Sequence, residues 1–292
     1  TLAWSNLRHL ELYYGVSGIG AICHTINPRL FKEQIVFIIN DAKNKILFVD
    51  LDFFDLVVDI SDEINTVKQI VILGKKIDIP DTKNISKEVI AYEDLIENVS
   101  ILNEWPIFSE KTASSLCYTS GTTGKPKGVL YSHRSTLIHT IAAANPDSFN
   151  LSSLDVIMPI APMFHANAWG IPYVATMIGA KLVLPGRHLD GKSIYNLMES
   201  EKVTFTAAVP TIWLMLFQFL EKEKKKLSHL KSCAIGGSAC PKVMIENFAE
   251  KHGVNVIHAW GMTETSPLGT VNRPLNKHKE FTKEQKYELA TK

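Results

Sequence analysis

Along most of the chain, apolar runs rich in Ile and Val alternate with segments whose apolar residues return at helical spacing. This is the pattern of βα units around a largely parallel sheet. After an opening helical stretch, "AWSNLRHLELYYGV", the spacing predicts a strand over 19–25, a helix over 29–43, a strand over 45–50, a helix over 52–64 and a strand over 68–74. The pattern then weakens. Residues 75–112 carry polar clusters, two prolines and one short amphipathic helix over 91–98, and read as a connection between two α/β sections.

The second section is more regular. A strand over 113–120 runs into a glycine-rich loop at 119–128, and a helix over 132–145 follows. Next come a strand over 155–161, a helix starting near His165, a strand over 180–186, and a helix over 190–203 for which Asp190 is a natural N-cap. A strand over 204–209 precedes a helix over 210–223, with Pro210 suited to its first turn. A strand over 230–237, a helix over 241–253 ended by Gly253, and a strand over 254–261 complete the pattern. No repeat of fixed period emerges. The expected fold class is α/β, multi-layered βα units with mainly parallel sheets, divided into a first subdomain over 1–110 and a second over 111–292.

Composition narrows the partners. The chain has 292 residues and 46% hydrophobic content, enough for a large buried core. Its 31 basic residues against 30 acidic ones give a net charge of +1, so no field favours nucleic acid. The run "EKEKKK" at 221–226 interleaves glutamate with lysine and reads as a solvated helix end. Cys23, Cys117, Cys233 and Cys240 form no CxxC pair and sit among apolar neighbours, as expected of reduced core thiols in a cytoplasmic protein. No apolar run reaches the ~18 residues of a membrane span, so no stable membrane insertion is expected. The chain opens inside a helical pattern and stops in a charged stretch, which suggests a fragment.

The stretch "TSGTTGKPKG" at 119–128 carries the first chemical signal. Read between a strand and a helix, such a loop can converge backbone N–H groups on an anion. Gly121, Gly124 and Gly128 permit close approach, Thr119, Ser120, Thr122 and Thr123 offer hydroxyls, and Lys125 and Lys127 add charge. Composition alone favours a mobile surface loop, and it is the order of the residues that shifts the reading. The P-loop template does not fit, because Gly121 and Gly124 are too close and Pro126 stands where Ser or Thr should follow the lysine. At average composition, "GTTG" followed one residue later by "PKG" would arise by chance on the order of once per hundred million starting points.

That string resembles the phosphate loop of the adenylate-forming superfamily. Three further segments are similar to the family's motifs: "HAWGMTETS" at 258–266, "APMFHANAWG" at 161–170 and "IGGSACP" at 235–241. The likeness covers nearly the whole chain, including "HTINPRL" at 24–30, and is nearest to the medium- and long-chain fatty acyl-CoA synthetase branch, which also holds 3-methylmercaptopropionate-CoA ligases.

The resemblance implies the fold of the large N-terminal domain of an acyl-CoA synthetase, with the C-terminal domain, its hinge and its adenylation lysine outside this chain. It implies ATP as substrate, gripped by Thr119, Ser120, Gly121, Thr122, Thr123, Gly124, Lys125, Lys127 and Gly128. Trp260 would lie against adenine among Ala259, Gly261 and Met262, with Gly236, Gly237 and Ser238 behind the base; an indole face suits a flat base. Thr263 would hydrogen-bond the phosphate, and Glu264 with Thr119 would hold Mg²⁺, a hard cation suited to oxygen ligands. His165 would stand near the reacting carboxylate, and Trp169, Gly170 and Gly237 would border the acyl pocket, with Trp169 as its gate.

The implied reaction forms an acyl-adenylate from a carboxylic acid and transfers the acyl group to coenzyme A. The residues leave other readings open: transfer to a carrier-protein thiol, a short or medium-chain acid such as 3-methylmercaptopropionate, or a nucleotide-binding module without turnover. Nucleic-acid partners are not expected, and a homodimer is compatible with the sequence.

Overall fold

The described strands are short, and most pair in parallel with helices between them. The computed structural model describes residues 1–97, 99–119 and 124–292. The chain divides into two compact units, one of residues 1–134 with 163–165 and one of residues 135–162 with 166–292.

In the first unit, α1 (Leu7–Gly18) is capped by Asn6, whose side chain accepts from the His9 N–H. It leads to β1 (Cys23–Thr25), α2 (Lys32–Asp41), β2 (Ile46–Val49), α3 (Phe54–Ile60), β3 (Gln69–Ile72), β4 (Glu88–Ala91), α4 (Tyr92–Glu97), β5 (Ala113–Thr119) and β6 (Lys127–Ser132). The β2, β3 and β4 strands form one parallel sheet, and β1, β5 and β6 form a second, mixed one in which β1 is parallel and β6 antiparallel to β5. The first sheet takes Ile35, Ile38 and Ile39 from α2 and Val57 and Ile60 from α3 into its core. Burying such side chains contributes about 1.5–3 kcal/mol each.

Two features of this unit differ from the sequence reading. The β4 strand lies inside the segment read as a connection. The glycine-rich loop does not lead into a helix: β5 pairs antiparallel with β6, and the residues flanking the loop, Thr119 and Lys127, face each other in register. The next helix, α5 (His133–Ala144), begins only after β6. The chain thus returns antiparallel along β5, and a strand stands where the sequence reading expected the approach to a helix.

In the second unit, β7 (Val156–Pro159), α6 (Ile171–Ile178), β8 (Lys181–Leu182), α7 (Gly191–Ser200), β9 (Phe205–Ala208), α8 (Pro210–Lys222), β10 (Ser232–Ile235), α9 (Lys242–Glu246), β11 (Asn255–Gly261), β12 (Leu268–Val271) and α10 (Lys283–Ala290) follow in order. The sheet order is β12-β11-β10-β9-β7-β8, parallel throughout except for β12. The β9 strand is buried along its length, as continuous apolar strands between helical layers require. Trp213 of α8 is fully buried and meets Phe248 edge-on, ring centres 5.4 Å apart.

Local signals place these helices as expected. The Asp190 carboxylate accepts from the Ser193 N–H at 3.0 Å, Pro210 occupies the first turn of α8, and Gly253, at φ +69°, follows the π-helical turn Asn247–Lys251 that continues α9. All four cysteines are buried and free of disulfides. Burial pushes the Cys23 thiol up to about 11 and the Cys240 thiol up to about 12. Among the described residues, no helix is long and apolar enough to cross a membrane.

Candidate functional site

The first unit presents the hairpin and His165. Thr119 closes the loop opposite Lys127, whose side chain is exposed, as is that of Lys125. Gly124 has φ +90° with open space where a side chain would stand, so the loop's exit needs a residue free of Cβ strain. A Cβ on Gly128 would stand 3.1 Å from a Leu116 methyl and 3.2 Å from the Tyr118 ring. Ser120, Gly121, Thr122 and Thr123, the centre of the expected phosphate grip, lie outside the described residues. Just before His165, the Met163 carbonyl accepts from the Tyr13 hydroxyl, and the Met163 N–H donates to the Ser5 hydroxyl at 3.1 Å. His165 reaches solvent at its edge, while the mass around it lowers its pKa by desolvation.

The second unit carries the other motifs. A helix starting near His165 was expected, but residues Ala166, Asn167, Ala168, Trp169 and Gly170 all have positive φ, between 44° and 73°. They form one left-handed turn, and the right-handed α6 starts only at Ile171. Left-handed conformation costs roughly 1–2 kcal/mol per non-glycine residue, so the turn must be held by its surroundings. The Ala168 N–H donates to the Pro162 carbonyl at 3.1 Å and the Gly170 N–H to the Asn167 carbonyl at 3.0 Å. The turn brings Trp169 against the glycine pair after β10. A Cβ on Gly236 would lie 3.5 Å from the Trp169 ring and 2.8 Å from the Ala259 carbonyl oxygen. One on Gly237, at φ +78°, would lie 3.9 Å from the same ring. Small residues at this strand end are therefore required by the indole on one side and β11 on the other. Ser238 stands exposed beside them.

Trp260 lies near the end of β11, 54% exposed. Its ring rests on Gly269 of β12, where a Cβ would be 2.6 Å from ring carbon Cζ3. One face is thus backed by the chain while the residue stays open to solvent. A bulge between Trp260 and Gly261 breaks the register with β12, and a Cβ on Gly261 would collide with the Pro267 carbonyl. Beyond it the segment 262–267 folds back tightly. The Met262 N–H donates to the Thr265 hydroxyl at 2.9 Å and the Pro267 carbonyl at 3.0 Å, and the Thr265 hydroxyl donates to the Pro267 carbonyl. This fold buries Thr263 and leaves Glu264 exposed.

Two residues of this unit escaped sequence reading. Gly269 gains meaning only from its place on β12 beside Thr270, the cross-strand partner of Trp260, where the indole lies over it. His139 of α5 is buried, touches Gly170, and accepts a hydrogen bond from the Leu268 N–H at 3.2 Å through Nε2. In the sequence it is one more polar residue in a helical pattern.

Parallel strands whose ends carry a seated indole, a glycine pair and an exposed carboxylate define a class: an α/β protein offering a flat apolar face beside an acidic turn. The chain belongs to the AMP-binding enzyme family, whose model matches residues 1–287. It is 51% identical to a 3-methylmercaptopropionyl-CoA ligase of Ruegeria lacuscaerulensis over 99% of this chain and 53% of that protein. It is 50% identical to a medium-chain-fatty-acid–CoA ligase of Ectopseudomonas oleovorans, with the same coverage. A long-chain-fatty-acid–CoA ligase of Thermus thermophilus is 41% identical over 100% of this chain and 52% of its own length. The chain thus spans about half the length of the curated relatives it matches. In fold it is similar to an anthranilate CoA ligase solved with anthranoyl-AMP (TM-score 0.82, 23% identity, 94% of this chain and 51% of that one). It also resembles a long-chain-fatty-acid CoA ligase from Archaeoglobus fulgidus (TM-score 0.81, 24% identity, 96% and 55%).

Proposed function

We propose that this chain supplies the nucleotide and acyl-activating part of an ATP-dependent acid–thiol ligase. The observation that carries the reading is the Trp260 ring, seated on Gly269 and open to solvent, next to a tight turn that exposes Glu264. The first feature suits a purine and the second suits the metal-bound phosphates attached to it.

In the first step a carboxylate oxygen attacks the α-phosphorus of ATP. An oxygen–phosphorus bond forms, the bond to the bridging oxygen breaks, and pyrophosphate leaves. In the second step the sulfur of coenzyme A attacks the acyl carbonyl, the thiol proton is lost, a carbon–sulfur bond forms and AMP departs. No nucleophile from the protein is needed. The residues act by positioning and by neutralising charge. Thr119, Ser120, Gly121, Thr122, Thr123, Gly124, Lys125, Lys127 and Gly128 would hold the leaving pyrophosphate. Ala259, Trp260, Gly261 and Met262, with Gly236, Gly237 and Ser238, would hold the adenosine, and Thr263 would donate to the α-phosphate. His165 would orient the carboxylate, and Trp169 with Gly170 and Gly237 would border the acyl chain.

Glu264 and the Thr119 hydroxyl are hard oxygen donors that fit Mg²⁺. Among the described residues no group of three or more His, Cys, Asp or Glu could by itself hold a metal. That suits an ion completed by phosphate oxygens rather than by a protein cage. When bound, Mg²⁺ would offset the charge developing on pyrophosphate.

Similarity to ligases for 3-methylmercaptopropionate and for medium-chain acids, at 51% and 50% identity, favours coenzyme A as acceptor and a short to medium acid as substrate. A cytoplasmic location and a homodimer are further expectations of the same reading. The test is ATP–pyrophosphate exchange by the complete protein with a panel of carboxylic acids, from short branched and methylthio acids to long chains. Exchange that depends on one of these acids is the expected result. Nucleotide binding with no exchange for any acid would leave a binding module instead.

A further inference from the structure

Trp260 and the glycine pair 236–237 stand at the C-terminal ends of β11 and β10, whereas α8 and the π-helical turn Asn247–Lys251 both end near the N-terminal ends of these strands. At that opposite edge they enclose a cleft of about 330 Å³. Phe217 and Leu220 of α8, both rooted in the core of this unit, line it from within. The His252 imidazole lies 8° from parallel with the Phe217 ring, centres 6.0 Å apart, and its Nδ1 accepts from the Leu227 N–H at 3.4 Å. The proton of the neutral ring is then on Nε2, which makes the side chain a donor.

The rim is cationic. Lys224, Lys225 and Lys226 follow α8, and Lys251 closes the π turn. Glu221 is the one acid among the lining residues, and Lys251 already pairs with it at 2.8 Å. Lys225 lies over the Tyr195 ring at 5.8 Å. Lys224 and Lys226 are exposed, and among the described residues no carboxylate engages them. Desolvation, and after it the charges of Lys251 and Lys226, hold the pKa of His252 below its ordinary value, so the positive field reaches the ring at the apolar wall. The run "EKEKKK", which reads in the sequence as a solvated helix end, thus borders a recess.

We propose that this cleft is a binding site for a single-chain anionic amphiphile, with Lys224, Lys226 and the His252 N–H taking a carboxylate or phosphate head and Phe217 and Leu220 taking the first carbons of its chain. A recess of this size with an apolar lining and a few converging polar groups suits a small ligand. Donors in excess of acceptors select a negative head, and lysine stems can cover the chain while their ammonium groups stay in water. The same head chemistry is found on a free fatty acid and on a lipid in a bilayer surface, and the experiment separates the two. The inference goes beyond the proposed ligase reading and does not depend on it, because the residues assigned there lie at the other edge of the sheet.

Hydrogen exchange followed by mass spectrometry on the complete protein tests it, with decanoate as the free acid and with vesicles of phosphatidylglycerol or phosphatidylcholine as the lipid surface. Exchange over 217–227 and 247–253 should slow with decanoate, which assigns the head to a free acid, or with phosphatidylglycerol but not phosphatidylcholine vesicles, which assigns it to a lipid surface. Slowing of these segments by neither overturns the inference, as does slowing confined to 166–170. In the double variant Lys224→Gln, Lys226→Gln, which alters two exposed side chains, the half-effect concentration at the cleft should rise roughly 2- to 30-fold, the factor for two exposed charge pairs. Any slowing over 166–170, the segment assigned to the acyl chain, should be the same in parent and variant. An unchanged half-effect concentration overturns the inference. So does equal protection of the cleft by 1-decanol, which has the chain without the charge, or by acetate, which has the charge without the chain. Protection of the cleft with no effect of decanoate over 166–170 would support this site and count against the proposed acyl pocket alone.

Discussion

The Trp260 ring rests against Gly269, the neighbour on β12 of Thr270, the cross-strand partner of Trp260, and any side chain at that glycine would enter the ring. Stacking of a base on such a ring is worth about 1–3 kcal/mol. Trp260→Ala should therefore weaken AMP binding by roughly 5- to 150-fold. Gly269→Leu, which leaves the tryptophan but pushes it off its seat, should weaken binding by part of that range. Calorimetric titration of AMP into the two variants checks both, and unchanged affinity in Gly269→Leu would mean that the seat has no bearing on the base.

Glu264 is exposed on a turn whose described hydrogen bonds run between Met262, Thr265 and Pro267. Glu264→Ala should leave the melting temperature near that of the parent while lowering pyrophosphate formation by about 100-fold or more, as expected when a charge-stabilising group is lost. Activity near the parent level across a Mg²⁺ titration would remove this residue from the assigned role.

Gly170 has neither room nor conformation for a side chain, since His139 fills the space and φ is +73°. Gly170→Ala should destabilise the protein by about 1–3 kcal/mol, more than the cost of glycine-to-alanine replacement at a permissive site. Urea unfolding would show it as a lower midpoint at unchanged slope.

Burial lowers the pKa of His139 to about 4 from its ordinary value of 6.5. The unfolded chain therefore binds more protons between these values, and the stability contributed by the neutral ring is fully present above pH 6.5 and lost as pH falls toward 4. For this group the loss between pH 7 and pH 5 is about 2 kcal/mol. Unfolding midpoints measured at the two pH values should separate less in His139→Gln than in the parent, and equal separations would contradict this account.

How much of this was legible beforehand depends on whether the signal is local. The parallel α/β class, the Asp190 cap, the Pro210 start and the Gly253 stop are written in adjacent residues. The β6 strand was hidden because "KGVLYS" follows a loop that composition alone cannot distinguish from a helix leader, and only pairing with β5 makes it a strand. The left-handed turn at 166–170 was hidden because Ala166, Asn167, Ala168 and Trp169 have no local reason to adopt positive φ. Their conformation comes from what they pack against, as with His139 and Gly269, whose partners lie up to 129 residues away in sequence. The motif residues were legible as types, but their backing was not.

The four buried cysteines bear on the safety of the proposed chemistry. An acyl-adenylate is an acylating agent for any accessible thiolate, and so is the thioester that follows. With Cys23 and Cys240 pushed up to about 11 and 12, and Cys233 also raised by burial, these side chains stay protonated at neutral pH and out of reach. On the proposed reading, an activated acyl group would find no ready thiolate at Cys23, Cys233 or Cys240 to compete with the incoming thiol of coenzyme A.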